Sequence, residues 1–210
     1  MISLKQISNK IVALKNNSNF LIVAVCGAAD LGKTYLSAQL VEVLSQMELT
    51  AGLLTLDSYM MNRTDRIKEG ISGYQPKAYD LLAVKKDLIK FKNAEPIDFF
   101  PYDHCIGQQV FQKETLVSCD ILLLDGLHSM NDELASLIDF SIFLCTDDAQ
   151  LKEIRHKADI KKRKQSIKFS NENAAVEFEN YKHFVEPYKN LADVVLLLKE
   201  QWKYSLIVRE

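Results

Sequence analysis

Apolar residues gather in short unbroken runs at 20–26, 51–56, 121–124, 141–145 and 193–198. Continuous Val/Ile/Leu runs bounded by polar turns are the pattern of strands buried on both faces. The stretches between them, at about 33–47, 80–91, 130–138, 148–164 and 171–186, carry apolar residues at helical spacing. Leu4, Ile7, Ile11 and Leu14 recur in the same way among Lys and Asn, so an amphipathic helix over about 1–17 precedes the first strand. Strands alternating with helices predict an α/β fold. Its core is a doubly wound, mostly parallel five-stranded sheet with helices on both faces and ligands at the carboxyl ends of the strands. The segment 94–118 breaks the alternation. Its runs 96–102 and 109–117, separated by 103–108, read as a β-hairpin excursion over the ligand edge. The weakly alternating 202–208 can add an edge strand beside 193–198.

Composition narrows this picture without redirecting it. The 210 residues suit one domain with a small lid, and 48% hydrophobic residues with a formal charge of −2 describe an ordinary globule. Nothing in that balance calls for nucleic acid or a membrane surface. Cys26, Cys105, Cys119 and Cys145 form no C-x-x-C pair, and three of them lie in or beside apolar runs, so neither a zinc site nor a disulfide framework is expected. No apolar stretch approaches the ~20 residues that span a bilayer, and the N-terminus lacks the pattern of a signal peptide. A reducing cytoplasm is the expected compartment.

The chemistry enters at residues 27–34, Gly-Ala-Ala-Asp-Leu-Gly-Lys-Thr, which complete the pattern G-x-x-x-x-G-K-[ST] between a strand and a helix. In that setting backbone N–H groups of the turn and the positive end of the next helix face one anion. This makes the fold P-loop NTPase-type, in a chain that binds a nucleoside triphosphate or descends from one that did. The candidate nucleotide-binding residues are Gly27, Ala28, Ala29, Asp30, Leu31, Gly32, Lys33, Thr34 and Tyr35. Lys33 can reach the β- and γ-phosphates and the Thr34 hydroxyl can ligate Mg²⁺. Asp57 ends the second apolar run and Asp125 the third. A strand-end carboxylate there can accept a proton from an attacking hydroxyl or hold Mg²⁺, or it can simply cap a turn. No Asn-Lys-x-Asp guanine-reading element follows the loop. A basic segment, 152–168, opens after Thr146-Asp147-Asp148, good N-cap chemistry, and reads as a helix that is either a lid over phosphates or a solvated face.

In this order and spacing, the chain resembles the uridine kinase and phosphoribulokinase group of P-loop kinases. The resemblance runs over about 23–196. It rests on 27–34, on Asp57-Ser58-Tyr59, on Gln75-Pro76-Lys77-Ala78-Tyr79-Asp80, on Pro101-Tyr102-Asp103-His104, on 120–126, on Phe184-Val185-Glu186-Pro187 and on Ala192-Asp193-Val194-Val195. It implies a single kinase domain over 1–210, with a hairpin at about 94–118 over the acceptor site and a basic lid at about 148–168. It further implies ATP- and Mg²⁺-dependent phosphorylation of a hydroxyl on a small molecule, usually a nucleoside. Asp57, Lys33 and Arg155 would be catalytic, Arg155 and Arg163 would bind the nucleotide from the lid, and Thr34, Asp57 and Asp125 would serve the metal. Asp57, Tyr59, Lys77, Tyr102 and His104 would face the acceptor.

The departures from that group cluster on the acceptor side. Lys77 stands where an acidic residue contacts ribose, Gly107 where a histidine is expected, and Ala158 where a third lid arginine is expected. Arg63, Arg66, Lys68 and Lys77 make the flap 60–79 basic, which suits an anionic acceptor such as a sugar phosphate, glycerate or pantothenate, or merely a solvated surface. The altered residues also suit a non-catalytic nucleotide-binding regulatory module. A nucleic-acid-dependent ATPase ranks last, because no aromatic platform interleaves the basic segment. The expected partner is therefore a small-molecule acceptor, with self-association compatible and with neither nucleic acid nor membrane involved.

Overall fold

The computed structural model describes residues 4–15, 18–200 and 203–207. In chain order the elements are α1 (Leu4–Lys15), β1 (Leu21–Gly27), α2 (Lys33–Ser45), β2 (Ala51–Thr55), α3 (Arg63–Lys68) and α4 (Leu81–Lys92). The hairpin strands follow as β3 (Ile97–Phe99), β4 (Tyr102–Asp103), β5 (Gln108–Gln109) and β6 (Glu114–Leu116). The chain then continues through β7 (Ile121–Asp125), α5 (Asp132–Ala135), β8 (Phe140–Cys145), α6 (Asp148–Lys161), α7 (Ile167–Phe184), β9 (Val194–Glu200) and β10 (Lys203–Ile207).

The main sheet is six-stranded, in the order β10-β9-β8-β1-β7-β2. Its neighbours run parallel except β10, which lies antiparallel on β9. The expected five strands are thus joined by a sixth, placed by the alternation read at 202–208; residues 202 and 208 themselves lie outside the described residues. Strand order reverses on either side of β1, so a crevice opens at its carboxyl end.

Two apolar cores sandwich the sheet because successive strand residues point to opposite faces. Val23 and Val25 of β1 and Leu123 of β7 meet Leu36, Leu40 and Leu44 of α2 and Ile7 and Ile11 of α1. Ile22, Leu122, Leu124 and Leu54 pack on the other side with Val84, Leu88 and Phe91 of α4. Continuous burial along β1, β7 and β8 accounts for the unbroken apolar runs that marked them. Cys26, Cys119 and Cys145 are buried among these residues and Cys105 is exposed, all as free thiols. Burial pushes the Cys26 thiol up to about 12, so it acts as a small hydrophobe.

Several boundaries differ from expectation for identifiable reasons. The helix expected at 130–138 shrinks to α5, capped by the Asn131 side chain, because Asp139 must bond the Ile22 amide (2.7 Å) and Lys92 (2.5 Å) across the sheet. The hairpin forms two short ladders, β3 with β6 and β4 with β5. The basic segment is a helix–turn–helix, not one helix. α6 stops at Lys161, Lys164 takes a positive φ of 55°, and the Ser166 hydroxyl accepts from the Phe169 amide (3.1 Å) to start α7. Helix α3, inside the flap, was not read from the sequence.

Gly27 ends β1 at φ 133°, with the place of a missing Cβ only 2.2 Å from the Leu144 carbonyl oxygen of β8. Replacing Gly27 by Ala forces β1 and β8 apart and should lower stability by about 1–3 kcal/mol. A drop in the urea midpoint is the expected readout, and an unchanged midpoint contradicts this account of the β1–β8 seam.

Candidate active site

A cleft of about 940 Å³ lies over the carboxyl ends of β1, β2 and β7. Its floor is the loop 27–34. Gly27, Asp30 and Gly32 all take positive φ (133°, 64° and 83°), which turns the loop's backbone around a central point. Helix α2 starts at Lys33 without a side-chain cap or an acidic residue in its first turn, leaving its leading N–H groups to an anion. Tyr204 of β10 donates to the Leu31 carbonyl oxygen (2.9 Å), so the sixth strand braces the loop from outside. Lys33 folds back to donate to the Ala28 carbonyl oxygen (3.0 Å). Burial lowers its pKa, and Asp125 and Asp57 oppose that shift.

Asp57 sits in a short 3₁₀ turn, Leu56–Tyr59, directly after β2, and Asp125 is the last residue of β7. Both line the cleft with Thr34, Thr55 and Lys33. Asp125 is 2% exposed and its Oδ2 has no hydrogen-bond partner. Burial raises its pKa, Asp57 adds to the rise, and Lys33 with the Thr34 and Thr55 hydroxyls opposes it. An unpaired carboxylate oxygen beside the Thr34 hydroxyl fits a divalent cation. Among the described residues no group of three or more His, Cys, Asp or Glu could hold a metal unaided. That is the donor set of Mg²⁺ carried on phosphates rather than of a dedicated protein cage. Burial pushes the Asp57 carboxyl up as well, but a hydrogen bond from His104 (Nε2 to Oδ2, 2.9 Å) and the Lys33 charge outweigh it and hold Asp57 below its ordinary value.

The helix pair α6–α7 covers the loop. Arg163 donates to both carboxylate oxygens of Asp30 (3.2 and 3.0 Å), Arg155 to one (3.4 Å), and the Lys162 ammonium lies 3.6 Å away. Arg155 also pairs with Glu177, and both arginines with Asp159 (3.4 Å each). Burial favours the neutral form of Asp30, yet Arg163, Arg155 and Lys162 together keep it ionised below the usual carboxylate range. Other lysines of the segment face elsewhere. Lys152 lies over the Phe178 ring, and Lys157 and Lys168 pair with Glu153 and Glu172.

The far end of the cleft is lined by Met60, Arg63, Arg66, Tyr79, Tyr102 and His104. Two expected acceptor residues are not there. The Tyr59 hydroxyl turns away to donate to Asp87 of α4 (2.8 Å), and Lys77 is exposed on the 3₁₀ turn Pro76–Ala78, outside the lining. Gly27, Ala28 and Leu31 support the loop from beneath, whereas Ala29, Asp30, Gly32, Lys33, Thr34 and Tyr35 line the cleft. Arg63 and Arg66 were visible in the sequence only as charge. Their convergence depends on α3, a six-residue helix without a buried face, which leaves no hydrophobic period to detect. Ala158, at the position where the resemblance implied a third lid arginine, also lines the cleft.

A nucleotide-sized cleft over a phosphate loop admits many chemistries, and the comparisons narrow them. The profile of the phosphoribulokinase/uridine kinase family matches residues 22–201. The chain belongs to that family. It is accordingly a P-loop phosphotransferase acting on a hydroxyl group. The uridine kinase of Ligilactobacillus salivarius is 32% identical over 187 residues, covering 83% of this chain and 84% of that protein. Among solved structures, D-glycerate 3-kinase from Cryptococcus neoformans superposes with a TM-score of 0.72 over 99% of this chain and 100% of the other, at 12% identity. Phosphoribulokinase from Rhodobacter spheroides does so with 0.66 over 85% and 70%, at 16% identity. At such identities the two structures speak for the fold alone. Among the described residues no helix is long and apolar enough to cross a membrane.

The Asp30 pairs tie the helix–turn–helix to the loop in this kinase. Replacing Asp30 by Asn should release roughly 2 kcal/mol of charge-assisted hydrogen bonding, or about 30-fold in local opening. Faster amide exchange at the carboxyl end of α6 in the nucleotide-free protein is the expected result. Unchanged exchange there would show that Asp159 and Glu177 alone hold the arginines.

Proposed function

We propose that this kinase transfers the γ-phosphoryl group of ATP to a hydroxyl of a small acceptor, with Asp57 as general base. The observation that carries the reading is the meeting of Asp57, Lys33, Thr34 and Asp125 at one end of the loop, opposite a cleft lined by Tyr102 and His104. The ionised Asp57 carboxylate accepts the acceptor's hydroxyl proton as that oxygen bonds to the γ-phosphorus and the bond to the ADP oxygen breaks. Lys33, with Arg155 and Arg163 transferred from Asp30, would stabilise charge on the moving phosphoryl group. Thr34 and Asp125 would hold Mg²⁺, which when bound neutralises phosphate charge.

The likeness to a uridine kinase over most of both chains supports a nucleoside as acceptor. A specific observation favours a second reading, an acceptor bearing phosphate or carboxylate. Arg63 and Arg66 line the acceptor end, and among the described residues neither pairs with a carboxylate. Arg66 donates to the Met61 carbonyl oxygen (3.2 Å) and reaches the Tyr102 hydroxyl (3.5 Å), both neutral. Guanidinium groups facing neutral oxygens keep capacity for an anion.

ADP release from Mg-ATP across uridine, cytidine, pantothenate, glycerate and ribulose 5-phosphate separates these readings. Turnover with nucleosides supports the first, and turnover only with anionic acceptors supports the second. With whichever acceptor is used, Asp57→Asn should lower kcat by about 10²–10⁴-fold while leaving ATP affinity nearly unchanged. Activity that survives the substitution removes Asp57 as the base. ATP binding without turnover on any acceptor makes the chain a nucleotide-binding regulatory module.

A further inference from the structure

Residues 103–107 of the β4–β5 turn are held against the flap by one arginine. The Arg63 guanidinium donates to the carbonyl oxygens of His104 and Cys105, and its backbone amide donates to the Gly107 carbonyl oxygen (2.7 Å). Gly107 takes φ 78°, and a Cβ there would stand 2.8 Å from Arg63 Cβ and 3.0 Å from its Cζ. A side chain at 107 and the Arg63 clamp therefore exclude each other. The clamp turns the His104 ring inward, edge-on to Tyr102 with centroids 5.2 Å apart, and Arg66 reaches the Tyr102 hydroxyl from the other side. His104 lines the same cleft as Asp57, and its Nε2 lies 2.9 Å from Asp57 Oδ2. An ionised carboxylate only accepts, so Nε2 carries the hydrogen and Oδ2 is engaged. Among the described residues no other side chain is hydrogen-bonded to that carboxylate.

We propose that His104 is the positioning residue for the base of this kinase: clamped by Arg63, it fixes the Asp57 carboxylate through Oδ2 and leaves Oδ1 to the acceptor hydroxyl. The inference rests on the reading of Asp57 as the base. A carboxylate on a short 3₁₀ turn can swing about its side-chain torsions, and Lys33 offers it an attractive alternative partner across the loop. A donor on the acceptor side holds it toward the acceptor and away from Lys33. The role differs from contact with the acceptor itself, since His104 acts through Asp57.

Three variants and two measurements test this. His104→Phe keeps a ring beside Tyr102 and removes the hydrogen bond; His104→Gln restores an N–H donor of similar reach. With an accepted acceptor, the Phe variant should lose about 30-fold in kcat, the scale of a misplaced catalytic group, while KM for Mg-ATP stays within about twofold. The Gln variant should recover most of the loss. Should the Phe variant fail to fold, His104→Asn, too short to reach Oδ2, takes its place. Wild-type kcat in the Phe variant, a defect confined to acceptor KM, or a Gln variant no better than Phe would overturn the proposal. Crystal structures of wild type and the Phe variant without substrate give a reading independent of turnover. Asp57 should leave its present position or split between conformers, and an Asp57 that stays in place defeats the proposal. If no acceptor is phosphorylated by the wild type, the kinase reading fails while the Asp57 position still decides the role of His104.

Discussion

Lys33, Arg155, Lys162 and Arg163 converge on the phosphate loop, and positive charges held this close repel unless a negative charge stands among them. Two like charges ~4 Å apart at an effective dielectric of ~20 repel by on the order of 4 kcal/mol, and the repulsion falls with distance. Asp30 supplies the counter-charge from inside the loop, on a backbone with φ 64° where a β-carbon is tolerated best for Asn and Asp. Its carboxylate lies within 3.0–3.6 Å of three of those cations. The covering helices consequently have a partner on the loop whether or not phosphates are present. On the proposed reading, in which Arg155 and Arg163 reach the phosphates, nucleotide binding is an exchange: phosphate oxygens would take over guanidinium groups that Asp30, Asp159 and Glu177 already hold. Such an exchange contributes less net affinity than capture by free arginines, because the displaced contacts offset part of the gain.

The rest of the fold makes that charge cluster tolerable by keeping its frame rigid. β1 is buried along its whole length, and Gly27 lets it run against β8 so closely that no side chain fits between them. Tyr204 of β10 and the Lys33 bond to the Ala28 carbonyl oxygen fix the loop from two sides. The two cores on opposite faces of the sheet place every strand end that carries chemistry, Asp57 after β2, Gly27 at the end of β1 and Asp125 at the end of β7, along one edge. Dispersed apolar packing thus decides where the few polar groups meet.

That division explains what could be read from the residues alone. Strands buried on both faces announce themselves as unbroken apolar runs, so the parallel sheet, its helices and the strand-end acids were legible. The loop 27–34 was legible because its chemistry is local: glycine torsions, a lysine and a helix start lie within eight residues. Long-range charge placement was not. Nothing near Asp30 in the chain indicates that Arg155 and Arg163, more than a hundred residues later, would pair with it. Tyr59 and Lys77 were assigned to the acceptor by their place in a motif, and the short 3₁₀ turns around them direct one hydroxyl to Asp87 and leave the ammonium in solvent.

At the far end of the cleft Gly107, Arg63 and His104 form one connected arrangement. With glycine at 107 the space beside the β4–β5 turn is taken by Arg63, and Arg63 in turn holds the carbonyl groups of His104 and Cys105. His104, three positions earlier in the turn, reaches Asp57. A second guanidinium, Arg66, stands at the Tyr102 hydroxyl. The steric exclusion at 107 thus couples the glycine to the Arg63 clamp, and the clamped turn carries the bond to the carboxylate. A side chain at 107 would meet Arg63, and loss of Arg63 would leave the turn unclamped. On the proposed reading of Asp57 as the base, a turn clamped in this way keeps the carboxylate oriented, which phosphoryl transfer would require of it and nucleotide binding alone would not.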